Sequence, residues 1–390
     1  MKNQELVNII FPFLRIGGLE NLLVLTANKL TEKGFRVKII TLYVHENIKK
    51  EISPKIDISI PTKIVSDLMK NSILLRYIFG IQILLLLIFI NRSKSTFICF
   101  GNISVYLSFI VRYFEKKMRI LYYETDIKYP NKIIFPTKSI YQYIGQHFNF
   151  YLQDFFDQLF INKIWKLIVI DDKNENFAKQ VYPFLKNKTF KIYPPLTINS
   201  NINKENISPK ILEIFKSKKF KFLIIVGALD YKKQTVKAID LLEYILTKNL
   251  NYSLLIVGEG ELKKDLENDV VRRGLEKHVY FLGKINYDEL KYSYSQSYCN
   301  LFLAKFQTWG LTPFEALSQG RPSIVSSDCG CSTYLKAKKC SKIIDENFNY
   351  EEILDFLENE IPKKIFNLKE LHELETEYYI KKFIEVLTNN

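Results

Sequence analysis

The sequence is poor in the residues that most often bind metal ions. It has five cysteines and four histidines in 390 residues, and no cysteine–histidine spacing typical of a metal site. Cys329 and Cys331 form a lone C-x-C pair beside Gly330. We interpret them as reduced thiols that line a loop, rather than as a metal or redox site. We therefore expect no bound metal and a reducing compartment.

Long apolar runs are also scarce. Pro12 and Arg15 interrupt the N-terminal apolar run and no small-residue cleavage site follows, so we expect no signal peptide. The segment Ile73–Ile90 is more apolar, but Arg76 and Gln82 interrupt it and the remaining run is too short to span a bilayer. This favours a buried or interfacial helix. We expect a cytoplasmic protein, with peripheral binding at the inner membrane face as a further option.

The formal net charge of +14 is unevenly distributed. Residues 1–195 contain 28 basic and 15 acidic residues, whereas residues 196–390 contain 28 and 27. A solvated basic surface explains this excess. A face for anionic lipid or an anionic acceptor explains it equally, since each basic residue near such a membrane contributes ~1 kcal/mol. Nucleic acid is not an expected partner, because the sequence has neither an RNA-binding motif nor one clear basic stripe.

Strands and helices alternate in both halves of the chain, without internal repeats at solenoid periods. The predicted strands are Val7–Phe11, Arg36–Leu42, Thr96–Phe100, Met118–Tyr123, Leu167–Ile170, Thr189–Ile192, Lys221–Val226, Tyr252–Val257, His278–Leu282, Cys299–Leu303 and Pro322–Ser326. The predicted helices are Leu19–Lys33, Val236–Leu246, Glu261–Arg273, Tyr287–Ser295, Thr312–Ser318, Tyr350–Glu360 and Lys369–Leu387. This alternation is typical of parallel sheets covered by helices.

The domain boundary is predicted near Pro194–Ser208, where two prolines precede a polar segment. We predict one Rossmann-like domain over residues 1–195 and a second over residues 196–370. Residues 371–390 form a C-terminal helix that is a candidate for crossing back to the first domain. Doubly wound domains of this α/β class bind ligands at the carboxyl ends of their strands, and here we also expect a ligand between the domains.

Glycines follow several predicted strand ends. Gly17 and Gly18 follow the first strand, and Gly227, Gly258 and Gly260 follow strands of the second half. A glycine at such a place lets the backbone approach a ligand closely. Each one alone is more often a simple turn former, so the repetition at the same end of consecutive strands is the stronger signal.

The most informative stretch is Phe306–Ser326. It contains a turn at Gly310, a short helix carrying Glu315, and a strand after Gly320. The start of a helix suits a phosphate and the carboxylate suits a sugar hydroxyl, as a nucleotide-sugar would require. The amide of Gln307, in the preceding loop, is able to hydrogen-bond a sugar hydroxyl. The alternative is that Glu315 only stabilises its helix.

Lys233 lies at the start of the helix that follows Asp230 and Tyr231. A lysine is unfavourable near the N-terminus of a helix, because the helix dipole is positive there. One interpretation is that Lys233 neutralises a diphosphate leaving group. The other is that it is a solvated surface lysine.

Six segments together resemble the family 4 glycosyltransferases. They are IGGLE at 16–20, IYPPL at Ile192–Leu196, IIVGALDYKKQ, LLIVGEGELKKDLE, VYFLGKINYDEL and FQTWGLTPFEALSQGRPSIVSSDCG. The resemblance implies the GT-B fold, in which two Rossmann-like doubly wound domains face each other across a cleft. It also implies transfer of a sugar from a UDP- or GDP-type donor, with retention and without a metal or other cofactor. The acceptor is expected to be a lipid-linked or cell-surface glycan bound by the N-terminal domain.

The resemblance assigns roles to individual residues. Glu315 matches the second glutamate of the family's E-x7-E motif, the ribose ligand, and Lys233 matches the diphosphate-binding lysine. Gln307 occupies the position of the first glutamate, so the candidate catalytic residues are Lys233, Gln307 and Glu315. The candidate donor-binding positions are Gly17, Gly18, Ala228, Lys233, Gly258, Gly260, Leu311, Thr312 and Glu315.

Three positions depart from the family pattern. Gln307 replaces the first glutamate, Ala228 replaces an arginine after Val-Gly, and Ala304 replaces a small hydroxyl residue. Loss of one electrostatic donor can lower a rate ~10²–10³-fold. Lys232, Arg15 and Arg321 are candidates for replacing the missing arginine.

The residues leave more than one function open. An active glycosyltransferase is the main hypothesis, with Glu124 and Asp126 as candidate acceptor contacts, although loop carboxylates are more often merely solvated. A catalytically impaired nucleotide-sugar-binding partner is the alternative, motivated by Ala228 and Gln307. A different reaction of the same fold, such as epimerisation or phosphorolysis, has less support because its characteristic residues are missing.

Overall fold

A computed structural model describes most of the chain. The described residues are 5–15, 17–62, 80–92, 95–124, 155, 159–196, 201–216, 220–305, 307–338, 341–361 and 368–389. The interpretations that concern Asp126 and residues 73–79 of the apolar segment lie outside these ranges.

Contacts along the chain divide it into two compact units. The first unit comprises the described residues up to Pro195 together with the C-terminal residues from Thr376. The second comprises the described residues between Leu196 and Glu375.

The first unit has a seven-stranded parallel sheet. The strands of this unit are β1 (Leu6–Ile10), β2 (Phe13–Leu14), β3 (Arg36–Ile40), β4 (Tyr43–Val44), β5 (Asp57–Ser59), β6 (Thr96–Phe100), β7 (Arg119–Glu124), β8 (Lys166–Val169) and β9 (Thr189–Lys191). The order in the sheet is β5-β3-β1-β6-β7-β8-β9, and β2 pairs separately with β4. Every residue of β6 is buried, as expected for an inner parallel strand covered on both faces.

The second unit has a six-stranded parallel sheet. Its strands are β10 (Lys221–Val226), β11 (Tyr252–Val257), β12 (Val279–Gly283), β13 (Cys299–Phe302), β14 (Ser323–Ser326) and β15 (Ser341–Ile344). The order is β12-β11-β10-β13-β14-β15, the doubly wound order in which a ligand binds where the strand sequence reverses. The predicted fold class, α/β with two Rossmann-like sheets, is confirmed.

Thirteen α-helices lie within the described residues. They are α1 (Gly18–Glu32), α2 (Glu46–Glu51), α3 (Ile81–Ile90), α4 (Asn102–Arg112), α5 (Asp172–Val181), α6 (Pro209–Lys216), α7 (Thr235–Thr247), α8 (Lys263–Arg272), α9 (Tyr287–Gln296), α10 (Thr312–Ser318), α11 (Cys331–Ala337), α12 (Tyr350–Asp355) and α13 (Thr376–Thr388). In the part of the chain that the structure describes, no helix has the length and apolarity needed to cross a bilayer.

The last helix, α13, packs within the first unit. The hydroxyl groups of Tyr379 and Thr26 hydrogen-bond at 2.7 Å. At the other end of the helix the buried ammonium of Lys166 donates to the carbonyl of Val386 at 2.7 Å. A cation at this end satisfies carbonyls that have no partner within the helix, so Lys166 fixes the end of α13 to β8.

Candidate functional site

The reversal of strand order in the second sheet brings two loops together. One loop follows β10 and the other follows β13, its neighbour in the sheet. The backbone N–H of Lys305, after β13, donates to the carbonyl of Lys232, after β10, at 2.8 Å. We call the place where these loops meet the switch crevice, since it lies at the carboxyl ends of β10 and β13, where doubly wound sheets bind ligands.

Lys233 and Gln307 contact each other in the switch crevice. Lys233 Nζ donates to Gln307 Oε1 at 2.7 Å, although the residues are 74 positions apart. The methylene groups of Lys233 cover Gly227, where an added Cβ would lie 3.1 Å from Lys233 Cε. Burial lowers the pKa of Lys233. Because Gly227 has no side chain, the side chain of Lys233 has room to pass over it towards the loop after β13.

A tight turn sets the position of Lys233. Asp230 Oδ1 accepts hydrogen bonds from the backbone N–H groups of Lys232 at 2.9 Å and Lys233 at 3.0 Å. Helix α7 begins only at Thr235, and Gln234 between them has a left-handed backbone with φ of +55°. Lys233 thus lies in a turn directly before the N-cap of the helix and does not itself begin the helix.

The glycines after β11 pack against the same loop. A Cβ on Gly258 would lie 1.9 Å from the carbonyl oxygen of Gly227, and one on Gly260 would lie 2.3 Å from that of Leu229. Neighbouring backbone thus explains why both positions need glycine. Contact of these glycines with a ligand stays a prediction. Ala228 is exposed, and its methyl group carries none of the charge that an arginine would supply at this position.

The start of α11 holds the loop that carries Gln307. The backbone N–H of Gly330 donates to the carbonyl of Gln307 at 3.0 Å, and Cys329 Sγ donates to the carbonyl of Ala304 at 3.2 Å. Cys329 and Cys331 are fully buried and form no disulfide. The C-x-C pair therefore packs beneath the loop. Within the described ranges no three His, Cys, Asp or Glu side chains form a group suited to a metal ion.

The same loop leads directly into α10. Gly310 has φ of +82°, and a Cβ there would lie 2.3 Å from the ring of Phe302, so only glycine fits. Helix α10 then begins with Leu311 as its N-cap and Thr312 as its first residue. The first turn of a helix has backbone N–H groups without helical partners. In α10 these N–H groups come only a few positions after Gln307 in the chain.

Glu315 lies in the first turn of α10. Its Oε2 accepts a hydrogen bond from the hydroxyl of Tyr294 at 3.2 Å, and Tyr294 is buried in α9. Burial raises the pKa of Glu315, while the hydrogen bond from Tyr294 opposes that rise. The hydrogen bond to Oε2 therefore fixes the orientation of the carboxylate, and an ionised carboxylate is suited to accept hydrogen bonds from hydroxyl groups.

Arg321 does not replace the missing arginine. It comes just before β14, at the amino edge of the sheet, whereas the switch crevice lies at the carboxyl edge. Its guanidinium donates to the carbonyl of Ser295 at the end of α9. Lys232 remains next to Lys233 in the crevice loop, and Arg15 belongs to the first unit.

The first unit carries the other candidate residues at the carboxyl edge of its own sheet. Gly17 is the N-cap of α1 with an extended backbone, and Gly18 is its first residue. Glu124 is the last residue of β7 and is buried, with 6% of its surface exposed. The burial argues against the solvated-loop interpretation of this carboxylate. Its role in acceptor binding stays a prediction.

Comparison with known proteins identifies a family that matches the second unit and relatives that match larger parts of the chain. Residues 208–367 match the family model of glycosyl transferases group 1. The alpha-1,3/1,6-mannosyltransferase ALG2 of Dictyostelium discoideum is 22% identical over 367 residues, which cover 85% of this chain and 84% of that protein. An uncharacterized glycosyltransferase of Methanocaldococcus jannaschii is 31% identical over 116 residues, 30% of each protein. The lipopolysaccharide glucosyltransferase WaaG of Escherichia coli is 25% identical over 61% of this chain and 63% of its own length.

Solved structures show the same fold over nearly the whole chain. The crystal structure of WaaG aligns with a TM-score of 0.65 at 17% identity and covers 98% of this chain and 100% of that one. Anabaena HepE in complex with UDP aligns with a TM-score of 0.71 at 13% identity and covers 99% and 100%. Residues 208–367 of the second unit thus match the group 1 glycosyl transferases, and the solved structures share the GT-B fold over nearly the whole chain.

Proposed function

We propose that this glycosyltransferase moves a sugar from a UDP- or GDP-type donor to a lipid-linked or cell-surface glycan, with retention at the anomeric carbon and without a metal ion. The observation that carries the proposal is the 2.7 Å contact between Lys233 and Gln307 at the strand reversal. The loop of Gln307 continues into the helix of Glu315. A cation for phosphate and a carboxylate for ribose therefore lie on adjoining segments of one unit.

The chemistry requires stabilisation of a departing diphosphate. As the bond between the anomeric carbon and the phosphate breaks, negative charge grows on the diphosphate. Lys233 and the N–H groups of Leu311 and Thr312 are the groups that would stabilise it, because fixed donors at developing charge lower the barrier. Gln307 would exchange its bond to Lys233 for one to a sugar hydroxyl. The acceptor hydroxyl would attack from the leaving-group face, so no protein nucleophile is needed.

The relatives support the classes of donor and acceptor. HepE has been solved with UDP and with UDP-glucose, ALG2 is a mannosyltransferase, and WaaG acts on lipopolysaccharide. The excess of basic residues in the N-terminal half supports action at an anionic membrane surface on the cytoplasmic side.

Release of nucleotide diphosphate tests the proposal. The purified protein is incubated with UDP- and GDP-sugars and a membrane extract as acceptor, with and without a chelator. We expect release that persists with the chelator and falls at least ~100-fold in Lys233→Ala and Glu315→Ala. Lys264→Ala, an exposed lysine on α8, is the matched control and keeps full release. Equal release by all variants would refute the assigned site, and an inverted anomer by NMR would refute retention.

A second candidate function is a nucleotide-sugar-binding partner with little turnover. Gln307 and the exposed Ala228 favour it, since Gln307 replaces the first glutamate of the family motif and Ala228 replaces an arginine whose charge would stabilise the departing diphosphate. Donors that raise the melting temperature while no donor–acceptor combination releases diphosphate would support this alternative.

A further inference from the structure

A cavity of about 560 Å³ opens on the first unit. It lies at the amino edge of the sheet, because Arg119 begins β7 and Trp165 immediately precedes β8. Gly17, Gly18 and Glu124 lie at the opposite, carboxyl edge. The cavity is therefore separate from the residues assigned to sugar transfer. The lining residues that matter here are Arg112, Lys116, Arg119, Lys163, Trp165 and Lys188.

The cavity has an unusual concentration of positive charge. Five of its described lining residues are cations and none is acidic. Arg119 is already used, since it pairs with Glu5 and packs over the ring of Trp165 at 4.5 Å. Arg112 donates to a backbone carbonyl at 2.6 Å. The guanidinium groups of Arg112 and Arg119 are thus held in place by other groups of the first unit.

No acidic residue among those described pairs with the three other ammonium groups at the cavity. Lys116, Lys163 and Lys188 are exposed, and none forms an ion pair with another residue that the structure describes. Like charges that line one cavity repel one another. A multiply charged anion would relieve that repulsion, and lysine ammonium groups are common phosphate ligands.

An exposed apolar surface adjoins the cavity. Tyr113, which lines the cavity, is 81% exposed, and the neighbouring Phe114 is 64% exposed. Their rings are 5.5 Å apart, and Phe114 meets Phe89 of α3 at the same distance. Ile90, at the end of α3, is 64% exposed. We call Phe89, Ile90, Tyr113 and Phe114 the aromatic ridge. Contiguous exposed apolar groups of this kind mark interaction surfaces.

We propose that the cavity binds the phosphate of an anionic membrane lipid while the aromatic ridge enters the boundary between headgroups and acyl chains. The charge of the cavity complements a phospholipid headgroup, and the ridge supplies apolar area that a soluble phosphate would not use. This deepens the membrane-surface part of the proposed function and does not depend on the identity of the sugar donor. It assigns membrane contact to α3, α4 and the turn after α4.

Vesicle binding tests the assignment. The full-length protein is mixed with vesicles of phosphatidylcholine alone, with vesicles that also contain phosphatidylglycerol, and with inorganic phosphate alone. We expect pelleting only with phosphatidylglycerol, and partitioning at least about tenfold weaker in Lys116→Glu/Lys163→Glu. Lys49→Glu/Lys50→Glu, exposed on α2, changes the net charge equally and should bind far better than the cavity variant. Tyr113→Ser/Phe114→Ser should also weaken binding, whereas Val271→Ser, an exposed residue of the second unit, should not.

Each contrary result has a distinct meaning. Equal loss in the two charge-reversal variants, or no loss in either, would overturn the cavity as the site. Binding of inorganic phosphate at the cavity without binding to anionic vesicles would overturn the lipid as its source. Wild-type protein that pellets with anionic vesicles but releases no nucleotide diphosphate from any donor would retain this surface and refute the proposed transfer. Release without pelleting would do the reverse.

Discussion

At the scale of single residues, the proposed donor site depends on the pair formed by Lys233 and Gln307. The amide oxygen of Gln307 accepts a hydrogen bond from the lysine, yet it adds no negative charge. Since burial lowers the pKa of Lys233, the ammonium loses its proton at lower pH than an ordinary lysine would. A glutamate at position 307 would oppose that change. The glutamine therefore leaves the charge of Lys233 less supported until a diphosphate binds.

Gln307→Glu should move the alkaline loss of nucleotide binding to higher pH. Diphosphate binding needs protonated Lys233, so affinity falls as pH rises through its lowered pKa. A neighbouring carboxylate favours the charged lysine and raises that pKa. The dissociation constant for the nucleotide diphosphate is measured as a function of pH for the variant and the wild type. The ratio of the two constants shows the shift. Gln307→Met, neutral and of similar size, is the control, and identical profiles for all three proteins would contradict this account.

Tyr294→Phe should move the acid loss of nucleotide binding to higher pH. Ionised Glu315 is the better acceptor for ribose hydroxyls, and burial already raises its pKa. The hydroxyl of Tyr294 opposes that rise, so its removal raises the pKa further and affinity starts to fall earlier on acidification. Binding titrations across the acid range measure this. Glu315→Gln should have no such limb, and an unchanged limb in Tyr294→Phe would exclude Tyr294 as the residue that orients Glu315.

At the scale of elements, the sequence predicted strands better than loops. Thr96–Phe100, Lys221–Val226 and Tyr252–Val257 have the predicted bounds, because central parallel strands are continuous apolar runs between turn residues. Strand β15 and helix α11 were not predicted. Ser341 and Lys342 at the start of β15 and small polar residues in α11 hide their periodicity. Tertiary packing against β14 and the loop of Gln307 forms these elements.

The candidate site was only partly accessible from sequence for a related reason. The helix of Glu315 could be predicted because Gly310 and Gly320 enclose it. The roles of Tyr294 and Asp230 could not, since a tyrosine and an aspartate in these positions have no distinguishing spacing. The contact between Tyr294 and Glu315 joins two helices that meet only in the folded unit. The contact of Asp230 is local, but aspartate is so common in turns that it does not mark this turn as special.

The turn before α7 offers a test of backbone strain. Gln234 has φ of +55°, and a non-glycine residue in this region costs roughly 1–2 kcal/mol. Both Gln234→Gly and Gln234→Ala lose the side-chain bond to Tyr231, so the comparison isolates the backbone strain. The glycine variant should therefore have a free energy of unfolding in urea about 1 kcal/mol higher than the alanine variant. At Lys237 within α7 the order should reverse. Equal stability of the two Gln234 variants would show that the turn relaxes without strain.

At the scale of the whole molecule, the two units divide the charge unequally. Nearly the whole excess of basic residues lies in the N-terminal half, while the second half is close to neutral. The second unit nevertheless contains Lys233, the candidate phosphate-binding lysine. A nearly neutral unit suffices for this role, because a single fixed cation in a crevice acts at short range. The cationic cavity of the first unit is instead proposed to act at a surface, where several exposed lysines add their charges. The two proposals thus assign donor binding to the second unit and membrane attachment to the first.

A crystal structure of the full-length protein with a bound nucleotide-sugar tests the central claim most directly. The account requires Lys233 Nζ within hydrogen-bond distance of a diphosphate oxygen and the Glu315 carboxylate at the ribose of the same molecule. A donor that occupies another place, or one that touches only one of these two side chains, would contradict it.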